Sequence, residues 1–407
     1  MEIYLDNAAT TAPDPEVIDA ILPFLTTHYA NPSSVHGAGR KAKDAIDAAR
    51  HTVAGLLGAL PEEIYFTAGA TEGINLLLSG AIQAYDLSHV VTSRIEHKAV
   101  LQTLKRHEKE GDIEISFVKL DERGNIDLYH LENLLRANPR TLIALMHGNN
   151  EIGNLTDIHA VGVLAQRYSA VFFTDTTQTM GKVRFDLREA AIDFLVGSAH
   201  KFHGPKGAGF MYIDQKHRLK PLIYGGGQER GQRGGTENVP GVVGLAKALE
   251  VSYRNLDESQ AKISKLKQYL VSKLSIAGIE GICYNGESKS IENSVANVLS
   301  VSFPCLSAGS IVTELDRAGI AVSGGSACSG GGASHVMQAL ACEANKENVR
   351  FSFSKFNTFD ELDRVVDIIV SIYESDSEVA SNKAWSSIAS WTWADSMAAE
   401  QASFNKI

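Results

Sequence analysis

The chain has 407 residues, of which 44% are hydrophobic and 21% charged, the mix of a globular protein with a large core and about two to three domains. With 38 Lys and Arg against 48 Asp and Glu, the formal net charge is −10, which argues against a whole-surface nucleic-acid or anionic-membrane binder. No apolar run reaches the roughly 18 residues of a membrane span, and MEIYLDNAATT has no leader character. Four cysteines without a C-x-x-C pair make no disulfide framework, so a cytoplasmic protein is expected.

From residue 62 to 213, short β-branched or aromatic runs alternate with helix-like stretches. The runs fall at 64–67, 89–92, 141–146, 171–174, 194–196 and 210–213. Between them lie segments such as 158–168, where Ile158, Val161, Leu164 and Ala165 share one helical face. This alternation predicts a mostly parallel sheet covered by helices on both faces. Ligands of such sheets sit at the carboxyl ends of the strands. The polar clusters 68–71, 147–151, 175–178 and 198–201 fall there. From about residue 256 the pattern changes to helix 263–274, strand 294–303, helix 311–317, glycine-rich 323–332, strand 349–354 and helix 359–373, a smaller α+β unit. The expected division is 14–255 for a large domain, 1–13 plus 256–375 for a small one, and a tail, 376–407, carrying Trp385, Trp391 and Trp393.

Lys201 follows a buried run and precedes a Gly-Pro turn. A lysine desolvated there is a nucleophilic amine able to form a Schiff base; a solvated loop lysine is the alternative. Asp175, ending Val-Phe-Phe-Thr-Asp, suits either a pyridinium nitrogen or a helix cap. The small residues of 67–73 bring backbone N–H groups to a helix N-terminus, as a phosphate site requires. The glycine-rich stretch 225–238, with Thr236, suits a second anion contact or a flexible loop. His97 reads as a ring stacked on a planar ligand or as a capping residue. A zinc reading of His89, His97, His147, His200 and His203 lacks paired ligand spacing. Cys328 sits among Gly324, Gly325, Gly330, Gly331 and Gly332, which points to a thiol on a movable loop. Arg350 alternates with Val349 and Phe351, so it reads as a carboxylate clamp or a strand-face ion pair.

The ordered set GATE, EHKAV, NNEIG, DTTQTMGK, SAHKFHGPKG, GGTEN, SGGSACS and VRFSFS resembles the cysteine desulfurases, pyridoxal-phosphate enzymes of aminotransferase class V. The resemblance runs from Tyr4 through Asn31-Pro32-Ser33-Ser34 to about Tyr373, roughly nine-tenths of the chain, and SGGSACS is similar to the branch with the longer cysteine loop. It implies an α/β protein of pyridoxal-phosphate fold type I, with a large mostly parallel sheet domain and a smaller α+β domain. It implies Lys201 as the Schiff-base lysine, Cys328 as the persulfide-forming cysteine and His97 as a stacked ring that moves protons. It further implies Asp175, Asn150 and Gln178 at the cofactor ring and Ala70, Thr71, Ser198 and His200 at its phosphate. Thr236 is implied to reach the phosphate of a neighbouring subunit, hence a homodimer with shared sites. Arg350 and Asn31 are implied to bind substrate. The implied partners are L-cysteine and a sulfur-acceptor protein of iron–sulfur or thiolation pathways, with no nucleic acid, no membrane and no resident metal; Cys328 would touch an iron–sulfur cluster only transiently. A selenocysteine lyase, a pyridoxal aminotransferase or a catalytically silent fold-type-I scaffold are the rival readings. Two features depart from the family: only five residues separate Cys328 from Ser334, and the tail does not match.

Overall fold

In the computed structural model the described residues are 2–325, 334–341 and 345–377. Cys328, Cys342 and residues 378–407, with the three tryptophans, lie outside them. The first half of the chain runs β1 (Ile3–Tyr4), α1 (Pro15–Thr26), α2 (Gly37–Leu57), β2 (Ile64–Thr67), α3 (Ala70–Tyr85), β3 (His89–Thr92), α4 (Lys98–Glu110), β4 (Glu114–Phe117), α5 (Leu128–Ala137), β5 (Thr141–Ala144), α6 (Ile158–Arg167), β6 (Val171–Asp175), β7 (Phe194–Ser198) and β8 (Gly209–Ile213). It continues through α7 (Val239–Arg254), α8 (Leu256–Ser275), β9 (Cys283–Tyr284), β10 (Val298–Pro304), α9 (Ile311–Arg317), β11 (Ile320–Ala321), β12 (Ser323–Gly325), α10 (His335–Ala339) and β13 (Lys346–Ser352). A last helix, α11, spans 359–377.

Seven strands form one sheet in the order β2-β8-β7-β6-β5-β3-β4. Neighbours are parallel from β7 to β4, and β8 runs antiparallel to both β2 and β7. The strands read as unbroken apolar runs because both faces are buried. Val91, Ile143, Phe172 and Leu195 enter one core with residues of α2, α5, α6 and α7. Their neighbours Val90, Leu142, Phe173 and Val196 enter another beneath α3 and α4. Such a sheet is mostly parallel and doubly covered, as the alternation predicts.

A four-stranded antiparallel sheet, β12-β13-β10-β9, has its own core with α8, α9 and α11. β1 pairs with β11 beside this sheet, and the chain then runs past it, bridging Asp6 to Ser352. Two strands differ from their expected limits. β10 begins at Val298 because Val295 and Leu155 tie residues 293–295 to the loop after β5. β13 begins earlier, at Lys346, because Glu347 is buried and its carboxylate accepts from Ser310 and from the Ile311 N–H at 2.9 Å, capping α9. A charged stretch that reads as loop is therefore strand. Cys305 is disulfide-bonded, which the sequence did not lead one to expect, whereas Cys283 is a free thiol.

Candidate active site

The chain turns in a short 3-10 helix, Ala199–Lys201, directly after β7, which carries Lys201 to the carboxyl end of the sheet. Its Nζ donates to the carbonyls of Ala8 at 2.6 Å and Ala9 at 2.8 Å. Among the described residues no carboxylate pairs with it. Burial, reinforced by the Arg350 charge and opposed by Asp175 and Asp6, lowers the amine to about 8. Burial, then the charges of Lys201, Lys206 and Lys182, lowers His200 to about 4, so its ring is neutral at pH 7. Its Nδ1 lies 3.2 Å from Thr10 Oγ1.

A cavity of about 830 Å³ opens above Lys201, and Asp175, Gln178, Asn150 and His97 line it. Asp175, 4% exposed at the end of β6, accepts from the Thr177 N–H at 2.9 Å through Oδ1. Its other oxygen has no partner among the described residues. Gln178 donates through Nε2 to Ala8 at 2.9 Å, and its buried Oε1 has no partner among the described residues. His97 is both a cap and a wall. Its Nδ1 accepts from the Ala99 N–H at 3.1 Å at the start of α4, so a neutral ring carries its proton on Nε2. Burial first, then Lys201 and His335 against Asp175 and Glu151, lowers its pKa.

At the far wall, Ala70, Thr71 and Ser198 flank the start of α3. No side chain caps this helix, so its first-turn N–H groups are available to an anion. The approach is set by small residues: a Cβ on Gly209 would stand 2.6 Å from the Gly69 Cα, and one on Gly73 2.9 Å from Val196. Arg350 lines the cavity from β13, opposite the buried Val349 and Phe351. Its guanidinium donates to the Asn150 carbonyl at 2.7 Å, Asp6 at 2.7 Å and Ser323 at 2.8 Å, and its buried Nε has no partner among the described residues. Ser334 bonds to Glu151, and His335 donates through Nε2 to the Glu96 carbonyl at 2.9 Å. Both ends of the segment that carries Cys328 are thus fastened to the cavity rim, while Cys328 itself lies outside the described residues.

Two expected residues stand apart. Asn31 is exposed, its Oδ1 accepting from the Ser33 N–H at 2.8 Å. Thr236 is exposed on the glycine-rich loop and outside the cavity. The histidines weighed for zinc are dispersed: His89 lies 2.9 Å from Thr141 and from Ser116, and His147 lies 3.0 Å from Thr179. Sequence reasoning missed the Ala8 and Ala9 carbonyls, since a backbone acceptor has no residue signature. It also missed Lys182, whose signal was its place at the end of DTTQTMGK.

An amine, a buried acid and an uncapped helix N-terminus fit a phosphorylated pyridine aldehyde at its aldehyde, ring nitrogen and phosphate respectively. A family model described as Aminotransferase class-V matches residues 3–365, and the chain belongs to that family. Within it, the chain is 38% identical over 367 residues to a putative cysteine desulfurase IscS 1 of Bacillus subtilis (strain 168), covering 88% of this chain and 95% of that protein. It is 40% identical over 374 residues to a cysteine desulfurase of Bradyrhizobium diazoefficiens, covering 89% and 92%. The solved structure of a NifS-like protein superposes with a TM-score of 0.83 at 37% identity, covering 92% of this chain and all of that one.

Proposed function

We infer that the chain is a cysteine desulfurase, which converts L-cysteine to L-alanine and keeps the sulfur on its own cysteine as a persulfide. The observation that carries this reading is the convergence of Lys201, Asp175, His97 and the α3 N-terminus on one cavity, in a chain 38% identical to proteins named for that activity. We propose pyridoxal 5'-phosphate as the cofactor. When bound, it supplies an electron sink for the carbon bearing the substrate's amine. Asp175 would hold a proton on the ring nitrogen, Gln178 and Asn150 would orient the ring, and His97 would cover its face. The N–H groups at Ala70 and Thr71, with Ser198 and His200, would bind the phosphate.

Lys201, half titrated near pH 8, would both bind the cofactor and shuttle the proton of the substrate's α-carbon. Arg350 would take the substrate carboxylate, exchanging part of its bond to Asp6 for it. Cys328 would attack the substrate sulfur: an S–S bond forms, the C–S bond breaks and its electron pair stays on carbon, which takes a proton to become alanine. L-cysteine plus thiol gives L-alanine plus persulfide, with no external oxidant. The persulfide sulfur would then pass to an acceptor protein of iron–sulfur or thiolation chemistry in the cytoplasm.

A homodimer with shared sites accords with two exposed features. Ile18, Leu22 and Leu25, spaced as one face of α1, are 48%, 54% and 62% exposed. The loop bearing Thr236 is likewise open. The decisive experiment is alanine and sulfide release from L-cysteine by protein supplied with the cofactor. Equal alanine and persulfide without reductant, and repeated turnover with it, are expected. Turnover of selenocysteine alone, or none of either, overturns the reading.

A further inference from the structure

Lys201 also lines a second, smaller cavity of about 30 Å³ between the two sheet units. That volume holds about two water molecules. Lys182 and Asn297 line it as well. Asn297 is 1% exposed, yet among the described residues neither its amide nitrogen nor its amide oxygen has a hydrogen-bond partner. An amide with donor and acceptor both unmet calls for water, which gives and accepts, rather than for an ion of either sign. Lys182 donates to the Gln178 carbonyl at 2.9 Å and has no carboxylate partner among the described residues. Gln178 donates in turn to the Ala8 carbonyl at 2.9 Å, the same oxygen that takes Lys201 at 2.6 Å. Gly181, at φ 74°, lets this turn lie close to Lys201: a Cβ there would stand 2.7 Å from the Phe202 Cβ.

Building on the reading of Lys201 as the reactive amine, we propose that Lys182 is its positioning residue: a second amine that shares its hydrated cavity, gives up its own proton first and, once neutral, exchanges a proton with the Lys201 ammonium. The exchange balances by itself, an ammonium on one side chain and an amine on the other trading places through the water. The groups facing Lys182 are Lys201, His200 and His203 after β7, Arg350 on β13, and Lys355, which is paired with Asp14. The cations outnumber the anion, and two ammonium groups in so small a space cannot both keep their protons at neutral pH. Burial, then the charges of Lys201 and Arg350, accordingly lowers Lys182 to about 7.

The test replaces Lys182 with a neutral and with a permanently charged side chain. In the holoenzyme, the pH midpoint of the visible absorbance should stay in place in Lys182→Met, which is as neutral as Lys182 is where Lys201 titrates, and fall in Lys182→Arg. A merely structural role would move both the same way. Equal shifts in the two variants, or none in Lys182→Arg, overturn the proposal. A second arm needs neither a folded variant nor the cofactor: side-chain amine NMR of the wild-type full chain should show Lys182 titrating well below the ordinary value of about 10.4. A single ordinary titration of Lys182 overturns the proposal, whereas a protein that takes up no cofactor but shows the depressed Lys182 overturns only the desulfurase reading.

Discussion

Two backbone carbonyls, and among the described residues no carboxylate, hold the Lys201 ammonium. Carbonyl dipoles restrain an amine without fixing its charge, so burial decides the balance and lowers it to about 8. Lys201→Ala should therefore remove covalent retention of the cofactor after borohydride reduction, read as loss of the mass increment on the tryptic peptide. Cys328→Ser should leave that increment intact while abolishing alanine release; alanine formed at the wild-type rate would show that another group takes the sulfur. These side chains were legible in the sequence because each breaks a local rule: a lysine past a buried run, a thiol among glycines. The Ala8 and Ala9 acceptors were not, because a carbonyl 192 or more residues away has no pattern of its own. Arg350 makes the strand-face ion pair that was one of its two readings, with Asp6 at 2.7 Å, and it also lines the cavity.

The start of α3 owes its use to the strands beneath it. With Gly209 on β8 and Gly73 inside the helix, the turn at 68–71 drops onto the sheet, and Ala70 and Thr71, at the uncapped start of the helix, line the cavity. Gly209→Ala should lift that turn and weaken cofactor binding about tenfold or more, measured by equilibrium dialysis, with the far-ultraviolet circular dichroism unchanged. α8 shows a second such dependence. Lys267, wholly buried, donates to the Ser290 carbonyl at 3.0 Å and Ser294 Oγ at 2.6 Å, holding the strap that leads into β10. Burial lowers it to about 7. Between pH 7 and 10.4 the unfolded chain then carries more protons at this site than the folded one, so its contribution to stability grows as pH rises and is least at pH 7 and below. The growth is at most about 1.4 kcal/mol per pH unit. Urea unfolding at pH 7 and pH 9.5 should show this gain in the wild type and not in Lys267→Met. The periodicity of α8 was visible in the sequence, but an apolar-facing lysine reads as a solvated one until its acceptors are known.

At the scale of the whole molecule, the segment from β1 to α1 stitches the two sheets together: Leu5 and Asn7 bond to the small sheet's chain, and Thr11 to His200 beside the reactive lysine. The apolar runs made the large sheet legible, whereas this strap, short and paired only at β1 and through the bridge from Asp6 to Ser352, could be tied to the site only through its resemblance to a family. What the strap leaves uncovered is the outer face of α1. Three apolar residues at i, i+4 and i+7, with Tyr29 at 79% exposure just beyond, make a stripe that water would disfavour on a lone chain. In the homodimer proposed above, a second copy would cover that stripe and Thr236 would reach the partner's cavity. Leu22→Glu with Leu25→Glu touches only exposed positions, so folding stability should change by less than about 1 kcal/mol. The pair should nonetheless convert a dimer to a monomer in light scattering and weaken cofactor retention with it, because each site would lose its Thr236 contact. A dimer that survives both charges, with retention unchanged, would move the interface off α1.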